Sequence, residues 1–355
     1  MNRNSAGHGR NAAAMEGHMW ELSIPLHEPF VNAAVTVEAR RVVIISIASH
    51  GNSGWGEAAP YPGVTPDSAD DAWSTLQRGH VLSPSAAAAI DEAEADLQAR
   101  SVSLPLWESI GGSPRSIATS IAVGLDDDPV QRLEATGAAA AKLKIRPGND
   151  VGRVAAVRAA LPNVLVGVDA NGSYRWADRG ALLELDGLGV DYIEQPFPAD
   201  DLASHARLRD EMVASVALDE PIDSAAAAIR AIEAGACDLV VVKPSRVGLA
   251  TSRVIHDIAL AAGLRIKASG LLETEIGRAC TLAVATLPAA AHSDVAPSSW
   301  YLAGGIGGSE PDSNSGSITP SNNAGIGFTP DPEVFAPYVV REAAIGPRIW
   351  NHTWQ

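Results

Sequence analysis

Residues 140–146 read AAKLKIR, a short and mostly apolar run that sets Lys142 and Lys144 two positions apart. Side chains alternate faces along a strand, so both ammonium groups point one way while Ala141, Leu143 and Ile145 pack on the other side. A buried strand that aims two like charges at one place needs opposite charge in front of it.

The chain supplies that charge at regular intervals. Short apolar runs recur at 117–123, 140–145, 164–168, 190–193, 215–218, 238–242, 264–268 and 291–295, separated by Ala/Leu-rich helical stretches. Eight runs joined by helices predict an α/β fold with a parallel barrel rather than an open sheet, and in such a barrel chemistry sits at the C-terminal strand ends. VLVGVDAN closes with Asp169, DYIEQP with Glu194, SVALDEP with Asp219 and LVVVKPSR with Lys243. With Lys144, one charged group ends each of five consecutive strands, every 24 or 25 residues.

The preceding part has no such alternation. ELSIPL and VEARRVVIISI read as strands, GWGEAAPYPGVTPDS as a proline-rich loop, and Ser83-Pro84 opens an Ala-rich helix running to Arg100. Residues 20–114 therefore read as a separate α+β domain, with LPLWESIGGSP (104–114) leading out of it. The barrel is expected over 115–303. Residues 304–355, rich in Gly, Ser, Asn and Pro before VFAPYVVREAA, are expected to return to the first domain. Residues 1–19 are polar and small and read as a disordered extension, with Met15 or Met19 as a candidate start.

Of 355 residues, 46% are hydrophobic, enough for a large core. Lys and Arg total 26 against 42 Asp and Glu, a formal charge of −16, which argues against nucleic acid or an anionic membrane as the main partner. Cys237 and Cys280 are the only cysteines. They supply neither a disulfide framework nor a thiolate metal site, and fit a reducing cytoplasm. No run of about 18 apolar residues exists to span a membrane.

Three carboxylates converging at adjacent strand ends repel one another, and a hard divalent cation resolves the conflict. One such Asp caps a helix or pairs with a cation as readily as it binds a metal; three in register, flanked by lysines, point to a metal. Oxygen ligands without His or Cys favour Mg²⁺ or Mn²⁺ over Zn²⁺. Beside a cation and a second ammonium, Lys144 is expected to favour its neutral form and to serve as a base. Lys243 would enter from the opposite side of the barrel mouth. A carboxylate substrate on the metal would then lose its α-proton to give an enediolate, with the new charge directed to the cation. Lys142 is expected to pair with one of the acids.

The motifs KLK, DAN, IEQP, LDEP, VVKPSRVG and SGLLETEIGRA, with PLWESIGG at the domain junction, resemble the enolase superfamily in its muconate lactonizing subgroup. That resemblance covers nearly the whole chain. It implies a modified (β/α)₇β TIM-type barrel under an α+β capping domain. It further implies Mg²⁺ on Asp169, Glu194 and Asp219, and Lys144 and Lys243 as acid/base lysines on opposite faces of the substrate. Lys142, Asn171 and Glu220 would support the site, and Arg246, Gly270, Leu271, Glu273 and Trp300 are candidates to touch substrate. KPSRVG, GLLETEIGRA and SSWYLAGGI look most like o-succinylbenzoate synthases and N-succinylamino acid racemases. The first reaction implies dehydration in menaquinone biosynthesis, with Lys144 moving the proton and Lys243 staying protonated. Racemisation, a muconate cycloisomerase-like reaction and carboxylate binding without turnover remain alternatives. Partners are then a small carboxylate and further copies of the chain in a homo-oligomer. Leu249, Glu275 and Lys267 depart from the family pattern, and the DxD motif of dipeptide epimerases is absent.

Other features carry less. GGIGGSE (304–310) neither follows a clear strand nor opens a helix and reads as a flexible loop rather than a phosphate loop. The nine histidines lack paired ligand spacing and are expected in surface or capping roles. Trp300 and Tyr301 either pack the barrel end against the cap or line the substrate pocket. The loops Ile24–Phe30 and Glu57–Pro66 are expected to close over it.

Overall fold

The computed structural model describes residues 16–78, 83–308 and 316–345. Strands β1 (Glu16–Val31), β2 (Thr36–Ser49) and β3 (Asn52–Ala58) pair antiparallel in succession, followed by helices α1 (Ala69–Arg78), α2 (Pro84–Ser101) and the short α3 (Leu106–Ser109). Strand β1 starts at Glu16, four residues inside the expected extension, and Met19 is fully buried; residues 1–15 lie outside the described residues. The expected loop Ile24–Phe30 is part of β1, irregular between Pro25 and Phe30.

Strand β3 runs through GWGE, the start of the stretch expected as a proline-rich loop. Gly54 and Gly56 face α2 so closely that a Cβ on either would meet the carbonyl oxygens of Ala93 and Ala89. Two glycines on one face of a strand, against an alanine-rich helix, let the backbones approach. The helix begins at Ser83-Pro84, with the Ser83 hydroxyl accepting from Ala86 N.

The next part alternates. Strands β4 (Ile117–Ala118) and β5 (Ser120–Val123) lead to α4 (Pro129–Thr136), β6 (Ala140–Lys144), α5 (Val151–Ala160), β7 (Leu165–Asp169), α6 (Arg179–Gly187) and β8 (Tyr192–Glu194). Then come α7 (Leu202–Glu211), β9 (Ser215–Leu218), α8 (Ala225–Glu233), β10 (Leu239–Val242), α9 (Pro244–Ala261), β11 (Arg265–Ala268) and α10 (Glu275–Ala285). Strands β5 to β11 form one seven-stranded parallel sheet in sequence order. Finally β12 (Ser317–Ile318) pairs with β4, and after α11 (Pro332–Phe335) strand β13 (Val339–Ile345) pairs antiparallel with β1.

The run at 291–295 forms no strand, contrary to expectation. Ala291 N and Asp294 N donate to Ile266 O (2.7 Å) and Ala268 O (2.8 Å) beside β11, and Ser120 N of β5 donates to Val295 O (2.9 Å). The ladder is broken because the Ser293 hydroxyl, rather than a backbone carbonyl, accepts from Ala268 N.

Carboxylates, one half-buried and one buried, tie the two units together through backbone N–H groups. Asp91 of α2 accepts from Leu249 N and Ala250 N, where Gly248 (φ 79°) breaks α9; the departure Leu249 is buried there. Glu57 of β3 accepts from Thr274 N and from Gly277 N (3.0 Å), capping α10. Beneath it Glu92, fully buried, accepts from Glu57 N (3.1 Å) with its other oxygen unpartnered. Burial first, then the negative charge of Glu57, Glu273 and Asp91, raises the Glu92 pKa well above the ordinary value.

A carboxyl whose folded-state pKa is raised contributes stability below its unfolded value, lost as pH rises toward the folded one. Glu92→Gln is therefore expected to match the parent in Tm near pH 5 and to exceed it near pH 8. Thermal unfolding at both values checks this; a pH-independent difference would refute it.

Candidate active site

Strand β6 is buried along its length, with Ala141, Leu143 and Ile145 in the main core and Lys142 and Lys144 turned to the other side. In the parallel register Lys144 lies beside Asp169, and Asp169 beside Glu194. Glu194 lies beside Ala217, so Asp219 stands two residues on, just past the end of β9. The strand ends thus bring together Lys144, Asp169, Glu194 and Asp219, with Lys243 leading into α9.

Each acid meets a cation. Lys144 Nζ contacts Asp169 Oδ2 (2.7 Å) and donates to Asn171 Oδ1 (2.8 Å). Asn171 Nδ2 in turn donates to Glu220 Oε1 (2.9 Å). Lys142 Nζ, deeper, lies 3.0 Å from Glu194 Oε1, 3.5 Å from Asp169 Oδ2 and 2.8 Å from Asp294 Oδ2. Lys243 pairs with Asp219 Oδ2, and Arg246 Nη2 lies 3.0 Å from Asp219 Oδ1.

Burial alone would lower the Lys142 pKa, but Asp294, Glu194 and Asp169 together hold it well above the ordinary value. Burial also opposes ionisation of Asp169 and Asp219, yet Lys144 and Lys142 lower the first and Lys243 and Arg246 the second. Glu194 is pushed up to about 7: burial and the charge of Asp169 outweigh Lys142. Burial, then Asp219 and Asp169, bring Glu220 up to about 7 as well.

Oxygens Glu194 Oε2 and Asp219 Oδ1 are buried and accept no hydrogen bond, although Lys267 Nζ lies 3.9 Å from the first and Arg246 Nη2 3.0 Å from the second. A buried oxygen of this kind is costly unless something positive faces it. The all-oxygen donor set, with two oxygens whose hydrogen-bonding capacity is unused, fits a hard divalent cation held by Asp169, Glu194 and Asp219. With their carboxylates turned to ammonium groups, no three acidic, His or Cys side chains among the described residues stand close enough together to enclose an ion.

A cleft with about 400 Å³ of empty space opens over these groups. Lys142, Lys144, Asn171, Lys243, Gly270 and Leu271 line it, together with Phe30, Asn32, Tyr61, Val64, Ala122 and Leu272. Three expected substrate contacts stand elsewhere. Glu273 is buried against Arg278 (3.1 Å) and accepts from Ser245 Oγ (2.6 Å). Trp300 lies beside Tyr301 in a separate pocket with His27 and Arg132, because its short turn sits against the 26–30 segment of β1. Arg246, turned under Asp219, borders another cavity with Glu220 and residues 63–66. Glu275 also misses the cleft: it accepts from Ile306 N and borders a cavity with Trp107 and Phe328.

Sequence reasoning missed Asp294, which lies within the interrupted eighth run and gathers Lys142 and Lys267 beneath Glu194. The departure Lys267 is fully buried, with its ammonium 4.6 Å above the centre of the Tyr192 ring. Tyr192 in turn occupies the space left by Gly167. His205 and His256 are buried too, so of the surface or capping roles expected of the histidines the surface one does not hold for these two. Residues 304–308 form neither helix nor strand, and 309–310 lie outside the described residues. Both cysteines are buried and free, and among the described residues no helix is long and apolar enough to cross a membrane.

Residues 127–334 match the enolase C-terminal domain-like family, and residues 63–111 match the N-terminal domain of the mandelate racemase / muconate lactonizing enzyme family. The chain is 31% identical to o-succinylbenzoate synthase of Bacillus subtilis (strain 168), with 91% of this chain and 96% of that protein covered. It is 30% identical to N-succinylamino acid racemase of Amycolatopsis sp, over 92% and 97% of the two chains. The crystal structure of an enolase superfamily member from Listeria innocua superposes with a TM-score of 0.83 at 27% identity, covering 94% of this chain and 99% of that one. Two family domains matched in order, and relatives aligned nearly end to end, make this chain a member of the enolase superfamily, in its mandelate racemase / muconate lactonizing enzyme branch.

Proposed function

We propose that the chain is a Mg²⁺-dependent carbon–oxygen lyase of the o-succinylbenzoate synthase type, serving menaquinone biosynthesis. The observation that carries the proposal is the pair of lysines in one cleft: Lys144 from β6 and Lys243 from beyond β10, with the acid-bearing ends of β7, β8 and β9 between them. The near end-to-end similarity to a synthase of that type supports the same choice. In this reading the parallel sheet is a (β/α)₇β barrel closed by the 291–295 segment, whose hydrogen bonds reach both β11 and β5.

Asp169, Glu194 and Asp219 would hold one Mg²⁺, which would supply the positive charge toward which the electrons of the broken C–H bond flow. The side chains then have distinct tasks. Lys144, as an amine, takes the proton α to the substrate carboxylate and becomes an ammonium. The electron pair left behind forms the new C=C bond and expels the neighbouring hydroxyl. Lys144 returns its proton to that hydroxyl on the same face, and water leaves. Lys243 keeps its proton and faces the anion from the other side. Lys142 stays cationic among Asp294, Glu194 and Asp169 and moves no proton. Phe30, Tyr61 and Leu272 restrict water at the reacting carbon.

Racemisation of an N-succinylamino acid is the second reading, favoured by the same opposed lysines and by the full-length similarity to a racemase. There Lys144 and Lys243 exchange α-protons from opposite faces and nothing is eliminated.

Lys144→Ala is expected to lower dehydration by on the order of 10²- to 10⁴-fold while Mn²⁺ affinity stays within a few-fold, read by steady-state rates and by calorimetry. Near-normal turnover would sink the base assignment. In D₂O, the synthase reading expects dehydrated product and a Lys243→Ala variant that is slowed; the racemase reading expects deuterium at the α-carbon of both enantiomers and no elimination. Proton NMR on each substrate distinguishes them.

A further inference from the structure

Glu194 and Asp219 lie on neighbouring strands, and one residue links their backbones. Gln195 directly follows Glu194 and holds a left-handed conformation, φ 43°, which a non-glycine residue adopts only when its surroundings impose it. Five hydrogen-bonding groups do so, one of them Gly172 N, which donates to Gln195 O (2.8 Å). Gln195 N donates to Ala217 O (2.9 Å), and the side-chain Oε1 accepts from Asp219 N (3.1 Å). The side-chain Nε2 donates to Phe197 O (2.9 Å) and lies 3.5 Å from His205 Nε2.

His205 sits on α7, fully buried, with the Phe197 ring edge-on at 5.3 Å between centroids. Its Nδ1 faces the backbone carbonyl of Asp201 at 2.8 Å. A carbonyl only accepts, so Nδ1 carries the proton and Nε2 is left as an acceptor. That acceptor takes the N–H of Phe197 (3.3 Å), the residue whose carbonyl holds the Gln195 amide. Burial depresses the His205 pKa, in keeping with a neutral ring. The hydrogen-bonded path thus runs from α7 through the imidazole and the 195–197 turn to the backbone nitrogen of Asp219.

We propose that His205 is a positioning residue for the divalent-cation site: acting through Gln195, it sets the spacing and direction of Glu194 and Asp219 and hence the affinity for the metal. The inference rests on the reading of those two carboxylates as metal ligands. Partners that orient ligands from behind typically change metal affinity by about 10- to 100-fold when removed.

The two ring nitrogens can be separated by substitution. His205→Asn keeps a donor near Nδ1 for the Asp201 carbonyl and removes the acceptor; His205→Gln keeps an acceptor near Nε2 and loses the donor. Mn²⁺ titration of the metal-free full chain, followed by electron paramagnetic resonance, is expected to show binding weakened on the order of tenfold in H205N and largely restored in H205Q. Circular dichroism checks that each variant is folded. Q195M approaches the path from its other end and stands in if H205N does not fold; it should weaken binding similarly. Adding H205N to a folded Q195M chain should cost little more. Parent-like Mn²⁺ affinity in folded H205N, or in folded Q195M where H205N does not fold, would overturn the inference alone. Absence of Mn²⁺ binding by the parent chain would overturn the metal reading and this inference with it.

Discussion

Asp169, Glu194 and Asp219 end three adjacent strands of one parallel sheet, and all three are buried. Like charges cannot be buried side by side unless positive charge is placed among them. The molecule meets that constraint at two depths. Near the mouth Lys144 and Lys243 face Asp169 and Asp219. Deeper, Lys142 and Lys267 share Asp294 beneath Glu194, and Tyr192 donates its hydroxyl to the same carboxylate at 3.1 Å. The lower layer is balanced within the protein, whereas above it Glu194 Oε2 and Asp219 Oδ1 face Lys267 and Arg246 but accept no hydrogen bond. In the proposed mechanism that division separates the work: the deep ammonium groups hold the acids in place, and the lysines at the mouth handle protons.

The second unit is bound to the sheet by the same chemistry used differently. Asp91 and Glu57 each cross to the parallel sheet's helices and accept backbone N–H groups, one at the restart of α9 beyond Gly248 and one at the start of α10. Arg40 adds donors in the other direction, to Leu272 O (3.3 Å) and Pro60 O (2.9 Å). Leu272, held at φ 56°, lines the cleft. The first unit therefore shapes the site as well as covering it, since it holds the backbone of one cleft wall while Phe30, Asn32, Tyr61 and Val64 form another.

Much of this was legible in the residues. Regular spacing exposed the ends of β6 to β10, because a parallel βα unit has a nearly constant length and each active end carries a charge in an otherwise apolar run. The paired lysines of AAKLKIR followed from strand alternation alone. Less legible were elements whose identity depends on a neighbour. GWGE is a strand only because α2 lies against its glycines. The 291–295 run looked like a strand and is not one, because Ser293 takes a backbone donor from its partner. His205 lies outside the periodic pattern, and Asp294 lies in the one run that does not form a strand, away from the 24- or 25-residue spacing of the charged strand ends; nothing local distinguishes either from a surface residue.

By itself, then, the sequence determined the kind of sheet, the strands that carry chemistry, and the residue types that meet at their ends, since periodicity and spacing are properties of a chain. Only the tertiary structure decided which cation each acid faces, that Glu273, Trp300 and Arg246 stand outside the cleft, and that Lys267 is buried in the sheet's interior. Those outcomes depend on distances between segments far apart in the chain, and on burial that raises the cost of every unpaired charge until a partner from elsewhere is brought to it.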